Sequence, residues 1–150
     1  MFLGICLEKG GFRAVWLDGT KSIPRLVDRE RCTNPDIGDP VLSANWYSGR
    51  FEQIFARYPI LCAASKISFD LKTLEAVENH GAPLGLLGLR AHLDGVPLKL
   101  LSKIKLKGHK TFNLPKGTDT SAWIDALRDT KPRWDAATRD AALAAASCLP

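Results

Sequence analysis

This chain of 150 residues is short of the features that identify a site at sight. It has no Cys-x-x-Cys pair. Its four cysteines, Cys6, Cys32, Cys62 and Cys148, stand far apart without a histidine neighbour, which argues against zinc. In a reducing compartment the same spacing argues against disulfides. Three of the four lie in apolar segments, as small core residues do. No apolar run approaches the roughly 18 residues that a membrane helix needs, so no membrane partner is expected. The start, Met1 to Cys6, lacks a basic region and meets Glu8 early, so a signal peptide is not expected and cytoplasm is the expected location. His80, His92 and His109 have neither metal-ligand spacing nor a dyad partner. Gly81, Gly85 and Gly88 fall inside a helical pattern rather than after a strand, which excludes a nucleotide-binding loop; they read as small residues that let a helix pack closely on a sheet. There are no repeats and no low-complexity linkers, so one domain over residues 1–150 is expected.

What is present is an ordinary globular composition, 45% hydrophobic and 25% charged, with a clear change of period near the middle. Tyr58 to Ala64 is a continuous apolar run that suits a strand buried on both faces. From Asp70, apolar residues recur at helical spacing (Leu71, Leu74, Val77, Leu84, Leu87, Ala91), with Pro83 expected to kink the helix. Gly95-Val96-Pro97 stops it, and Val96 to Leu101 reads as a second strand. Strand, helix and strand make a right-handed βαβ unit with parallel strands. Before it, Phe2–Leu7 and Phe12–Leu17 flank Gly10-Gly11 as a hairpin, and Ser22–Val27 returns after Asp18-Gly19 as a third strand. Residues 28–40, rich in charge, Pro, Asn and Gly, read as a loop. Asp39-Pro40 reads as a helix start, with Trp46, Phe51, Ile54 and Phe55 as its apolar face. Ser121–Arg128 and Trp134–Cys148 read as helices separated at Pro132. The expected class is α/β: a mixed five-stranded sheet, with an antiparallel meander of three strands and then two parallel strands, flanked by helices.

The net charge is +5, and its distribution is uneven. Lys99, Lys103, Lys105, Lys107, Lys110 and Lys116 fall in one stretch without an acid. As a strand, this stretch would put Lys103, Lys105 and Lys107 on one face, either as a phosphate-contacting stripe or as an edge kept soluble by lysines. Trp123 and Trp134 flank the stretch and read as core residues or as platforms for bases.

Three segments carry a family resemblance. Leu3-Gly4-Ile5-Cys6 to Gly11, Thr73 to Leu98, and Asp135 to Ala146 resemble, in order, the opening Gly-Ile-Asp strand and turn, the long helix with its Gly-Val-Pro strand entry, and the final helix of RuvC-type Holliday junction resolvases. The resemblance implies an RNase H-like fold and two-metal hydrolysis of a phosphodiester, with carboxylates from the first strand, the strand before the long helix and the last helix holding two Mg²⁺ about 3.5–4 Å apart. The pattern departs at two places. Cys6 stands at the Gly-Ile-Asp position, and a thiol is a poor ligand for Mg²⁺. Ala63-Ala64-Ser65-Lys66 stands where a glutamate is expected. The acids that remain are Glu8, on the Cys6 face of its strand, Asp70, which also suits the start of the helix, and Asp140; Asp135 is five residues earlier on another face. The resemblance therefore implies either a Mg²⁺-dependent nuclease on branched DNA, with Glu8, Asp70 and Asp140 catalytic and Glu8 and Asp140 on metal, or a metal-free relative that binds nucleic acid or assembles with an acidic protein. Lys66, Lys103, Lys105, Lys107 and Lys110 are the expected phosphate contacts, DNA is the favoured partner, and a homodimer is implied by the resemblance.

Overall fold

The computed structural model describes residues 1–67, 73–127 and 134–150. The first strand, β1 (Phe2–Glu8), turns through Gly10 at φ 73° into β2 (Gly11–Gly19), and β3 (Pro24–Thr33) follows. A side chain other than hydrogen is disfavoured at that φ, so the hairpin depends on glycine there. Helix α1 (Pro40–Ala56) starts where the sequence predicts. The Asp39 carboxylate accepts from the amides of Val41 and Leu42 at 2.9 Å each, and Pro40 supplies no amide to satisfy. Strand β4 (Cys62–Lys66) follows α1. Before β5 (Leu98–Leu101) come α2 (Leu74–Ala76), a π-helical turn (Val77–Gly81) and α3 (Ala82–Leu93). Then α4 (Lys103–Lys107), a 3-10 turn (His109–Phe112), α5 (Thr120–Asp125) and α6 (Ala136–Cys148) complete the order.

The sheet order is β3-β2-β1-β4-β5, antiparallel across β1, β2 and β3 and parallel across β1, β4 and β5. Alternation in β1 assigns the two faces. Leu3 and Ile5 pack with Phe12, Trp16, Phe51, Ile54 and Leu87 under α1 and α3. Cys6 packs with Val15, Cys62 and Ala64 under the alanines of α6. A methyl at Gly4 would lie 1.8 Å from the carbonyl oxygen of Ala141 and 2.5 Å from the amide nitrogen of Ala145. Helix α6 therefore rests on bare β1 backbone, and its small residues complete that fit.

Several expectations need correction. The predicted loop over 28–40 is strand up to Thr33. Its charges are those of an edge strand, with Asp28 and Glu30 paired to Arg50 of α1 and to Arg57, which caps the end of α1. The fourth strand begins at Cys62 rather than Tyr58. The long helix is broken before Pro83 by the π-helical turn, in keeping with a ring that cannot donate to the helical ladder. The lysine-rich segment is helix, not strand: Ser102 caps it, and its one buried residue is Leu106. Lys103 and Lys107 share a face and Lys105 does not, so there is no single lysine stripe. Gly85 and Gly88 would meet nothing if they carried a methyl, so close packing rests on Gly4 instead. Trp134 is buried in the α6-side core and Trp123 packs against Phe112, which makes both core residues. Among the described residues no helix is long and apolar enough to cross a membrane.

Candidate functional site

Parallel pairing sets Cys6 of β1 opposite Lys66 at the end of β4. Both face α6, and the contact of α6 with Gly4 brings Asp140 to the same point from above. The Lys66 ammonium donates to Asp140 Oδ2 at 2.6 Å, with each side chain about a quarter exposed. Burial works against the lysine charge, but the hydrogen bond and charge of Asp140 outweigh it and raise the Lys66 pKa above its ordinary value. Cys6 is buried. Burial first, then the charge of Asp140, pushes its thiol up to about 12, so it is neutral and unreactive at physiological pH. His80 borders the same cleft, a cavity of about 390 Å³, and burial and the Lys66 charge depress its pKa.

Glu8 lies on the Cys6 face two residues along, as the alternation predicts, but its carboxylate accepts from Arg13. Arg13 is buried and also donates to Asp135 Oδ2, at 3.1 Å from Nε and 2.8 Å from Nη2. Asp135 meanwhile caps α6, its other oxygen accepting from the Thr138 amide at 2.7 Å. Burial opposes ionisation of Asp135. The Thr138 amide and the Arg13 guanidinium overcome it and hold the pKa near 2.

These donors do not suit Mg²⁺. The ion takes hard oxygen ligands in octahedral array, whereas the cleft offers a protonated thiol, an ammonium, the Asp140 carboxylate already bound to that ammonium, the Glu8 carboxylate already bound to Arg13, and the His80 imidazole. Among the described residues no three His, Cys, Asp or Glu side chains are grouped to hold a metal. Of the predicted site residues, Asp140 and Lys66 meet, Glu8 turns to Arg13, and Asp70 lies outside the described residues. Lys103, Lys105, Lys107 and Lys110 are exposed on and just after α4. Sequence reasoning treated Lys66 as a phosphate contact and missed its partnership with Asp140. A lysine in place of an expected acid, at the end of a buried strand, was the available signal.

No family model and no curated protein matches the sequence. Solved structures do resemble it. Thermus thermophilus RuvC in complex with a Holliday junction substrate superposes with a TM-score of 0.77 at 16% identity, covering 97% of this chain and 89% of that one. A second structure of T. thermophilus RuvC gives 0.72 at 18% identity, with coverages of 97% and 90%. The yeast mitochondrial Holliday junction resolvase Ydc2 gives 0.62 at 15% identity, with coverages of 97% and 75%. The chain has the RuvC-type, RNase H-like fold, with the mixed five-stranded sheet and flanking helices expected from its sequence.

Proposed function

We propose that this chain binds branched or structured DNA through the RuvC-type fold and does not cut it by two-metal hydrolysis. The observation that carries the reading is the Lys66–Asp140 ion pair, which puts a fixed ammonium where the family resemblance implies a metal-bound carboxylate. The ammonium neutralises Asp140, so a phosphodiester can approach without a divalent cation to screen the acid. Lys103, Lys105, Lys107 and Lys110, exposed on and just after α4, supply phosphate contacts, and the net charge of +5 favours association with a polyanion. Structural likeness to a RuvC that holds a Holliday junction supports branched DNA as the ligand to try first.

The competing reading is a Mg²⁺-dependent nuclease with Glu8, Asp70 and Asp140 as its acids. Its support is that Glu8 shares the Cys6 face of β1 and would need only to leave Arg13. Titration calorimetry of Mg²⁺ and Mn²⁺ into the wild type and Asp140→Asn separates the two, run beside binding and cleavage of a four-way junction. The proposal expects junction binding, no saturable metal binding at millimolar concentration and no cleavage. Saturable binding lost in Asp140→Asn, together with cleavage, establishes the nuclease instead. Failure to bind the junction or linear duplex removes the nucleic-acid reading.

A further inference from the structure

A second cavity, of about 270 Å³, lies between α1 and the helical segment before β5. Its lining is mixed: Pro40 and Ala44 from α1 and Ala82, Pro83 and Leu86 from α3 are its apolar part, with Asp39 and Asn79 beside them. The volume falls below the range of about 300–1,000 Å³ usual for drug-sized ligands, which restricts an occupant to a single small ring system.

Polar groups complete the lining. Asn34 is buried, donating to Ser43 Oγ at 2.7 Å and accepting from the Asp36 amide at 2.9 Å. Ser43 has thus accepted a bond and has its own proton left to give. Tyr47, one helical turn further on the same face of α1, is only 3% exposed and lines the cavity. Among the described residues no acceptor meets the Tyr47 proton; the hydroxyl of Tyr58, by contrast, donates to Asp28. Burial first, then the Glu8 charge, raises the Tyr47 pKa to about 12, so the group is a donor at neutral pH. The Tyr47 hydroxyl lines the cavity with its proton ungiven, so a ligand with an acceptor edge can take it. At the exposed rim stands the Lys9–Glu75 ion pair, 2.7 Å long. Lys9 also borders the Cys6–Lys66–Asp140 cleft, so the two cavities are neighbours.

The geometry points to a binding site for one unstacked nucleobase, its faces between the α1 and α3 walls and its acceptor atoms on the Tyr47 and Ser43 hydroxyls. The base comes either from a strand passing the neighbouring cleft, the source that follows from the proposed function, or from a free nucleoside. Extrusion of a base costs least where stacking is already interrupted, as at a branch point.

The test uses the full chain and two probes. Adenosine, guanosine, cytidine and thymidine are titrated to millimolar concentration while NMR follows Ala44 and Tyr47. A four-way junction carrying 2-aminopurine at its branch is followed by fluorescence. A nucleoside response at the cavity, weakened about five- to tenfold in Tyr47→Phe and lost in the slot-filling Ala44→Leu, supports the site. Tyr47→Phe removes only a hydroxyl, so the result stands even if Ala44→Leu folds poorly. Brightening of 2-aminopurine on binding, absent in a folded Ala44→Leu that still binds the junction, identifies nucleic acid as the source. A nucleoside response without brightening identifies the free nucleoside. If nucleosides bind and the junction does not, the cavity assignment survives and the nucleic-acid reading falls. No response to any nucleoside and no brightening overturns the site, whether or not the junction binds.

Discussion

Lys66 would need a reversal of charge to resemble the acid expected at its position, and that charge governs what Asp140 can do. While the ammonium is 2.6 Å from Asp140, a divalent cation would have to displace it and still find further oxygen ligands. Changing Cys6→Asp and Lys66→Glu together sets three carboxylates at one point. The double variant is expected to lose melting temperature in chelator, because like charges repel at close range. It is expected to regain stability with MnCl₂, by about 2.7 kcal/mol at a hundredfold excess over Kd. Wild type should show neither change. Scanning calorimetry with and without Mn²⁺ checks this, and a variant that ignores the metal sinks the idea that these two positions separate the chain from a metal site. Cys6 and Asp140 were legible in sequence because each lies in a recognisable segment. The Lys66–Asp140 pair was not, since it joins positions 74 apart through a parallel register and a helix seated on a strand.

Helix α6 is the element on which the cleft depends, and both its seat on β1 and its start can be probed. Gly4→Ala inserts a methyl where the Ala141 carbonyl stands, so α6 must lift. The expected cost is about 3 kcal/mol, at the upper end of ordinary overpacking, read as a lower denaturation midpoint with unchanged slope. A loss below 0.5 kcal/mol would mean that α6 does not rest on β1 as described. Asp135 makes the start of α6 sensitive to acid. Its folded pKa is depressed from 3.8 to about 2, so its contribution is complete above the unfolded value and disappears as pH falls from about 4 to about 2. Asp135→Asn keeps a capping oxygen but not the charge facing Arg13. Its stability should therefore converge on that of wild type over this interval; parallel pH–stability curves for the two proteins would refute the assignment. The sequence predicted α6 from its alanines, whereas β3 and α4 were misread. Charge along β3 resembled a loop because edge strands carry charge, and Lys103–Lys107 alternated like a strand while folding as one helical turn.

For the whole molecule, the layers divide the work. The α1–α3 side supplies the large aromatic core, and the α6 side supplies the cleft and the exposed lysines. If those lysines carry DNA binding, the logarithm of the association constant should fall linearly with the logarithm of salt concentration. Replacing Lys103 or Lys107 by Gln should reduce the slope by about 1 without changing preference among sequences. Fluorescence anisotropy across a salt series measures this, and an unchanged slope removes that lysine from the interface. The mix of antiparallel and parallel strands was readable because a hairpin, a βαβ unit and terminal helices leave few topologies open. The cavity beside Tyr47 was not readable, since its walls come from segments about forty residues apart and no local pattern announces that they face each other.

The bare backbone at Gly4 has one more consequence. The roots of side chains 6 and 66 are spaced by a backbone ladder, and the root of 140 is set by the seat of α6 on β1, so none of the three depends on which side chain it bears. The chain is thus a mounting plate with three fixed sockets. Thiol, amine, carboxylate or imidazole can be exchanged there against a constant frame, which makes this protein a host for comparing what different groups do at a single geometry.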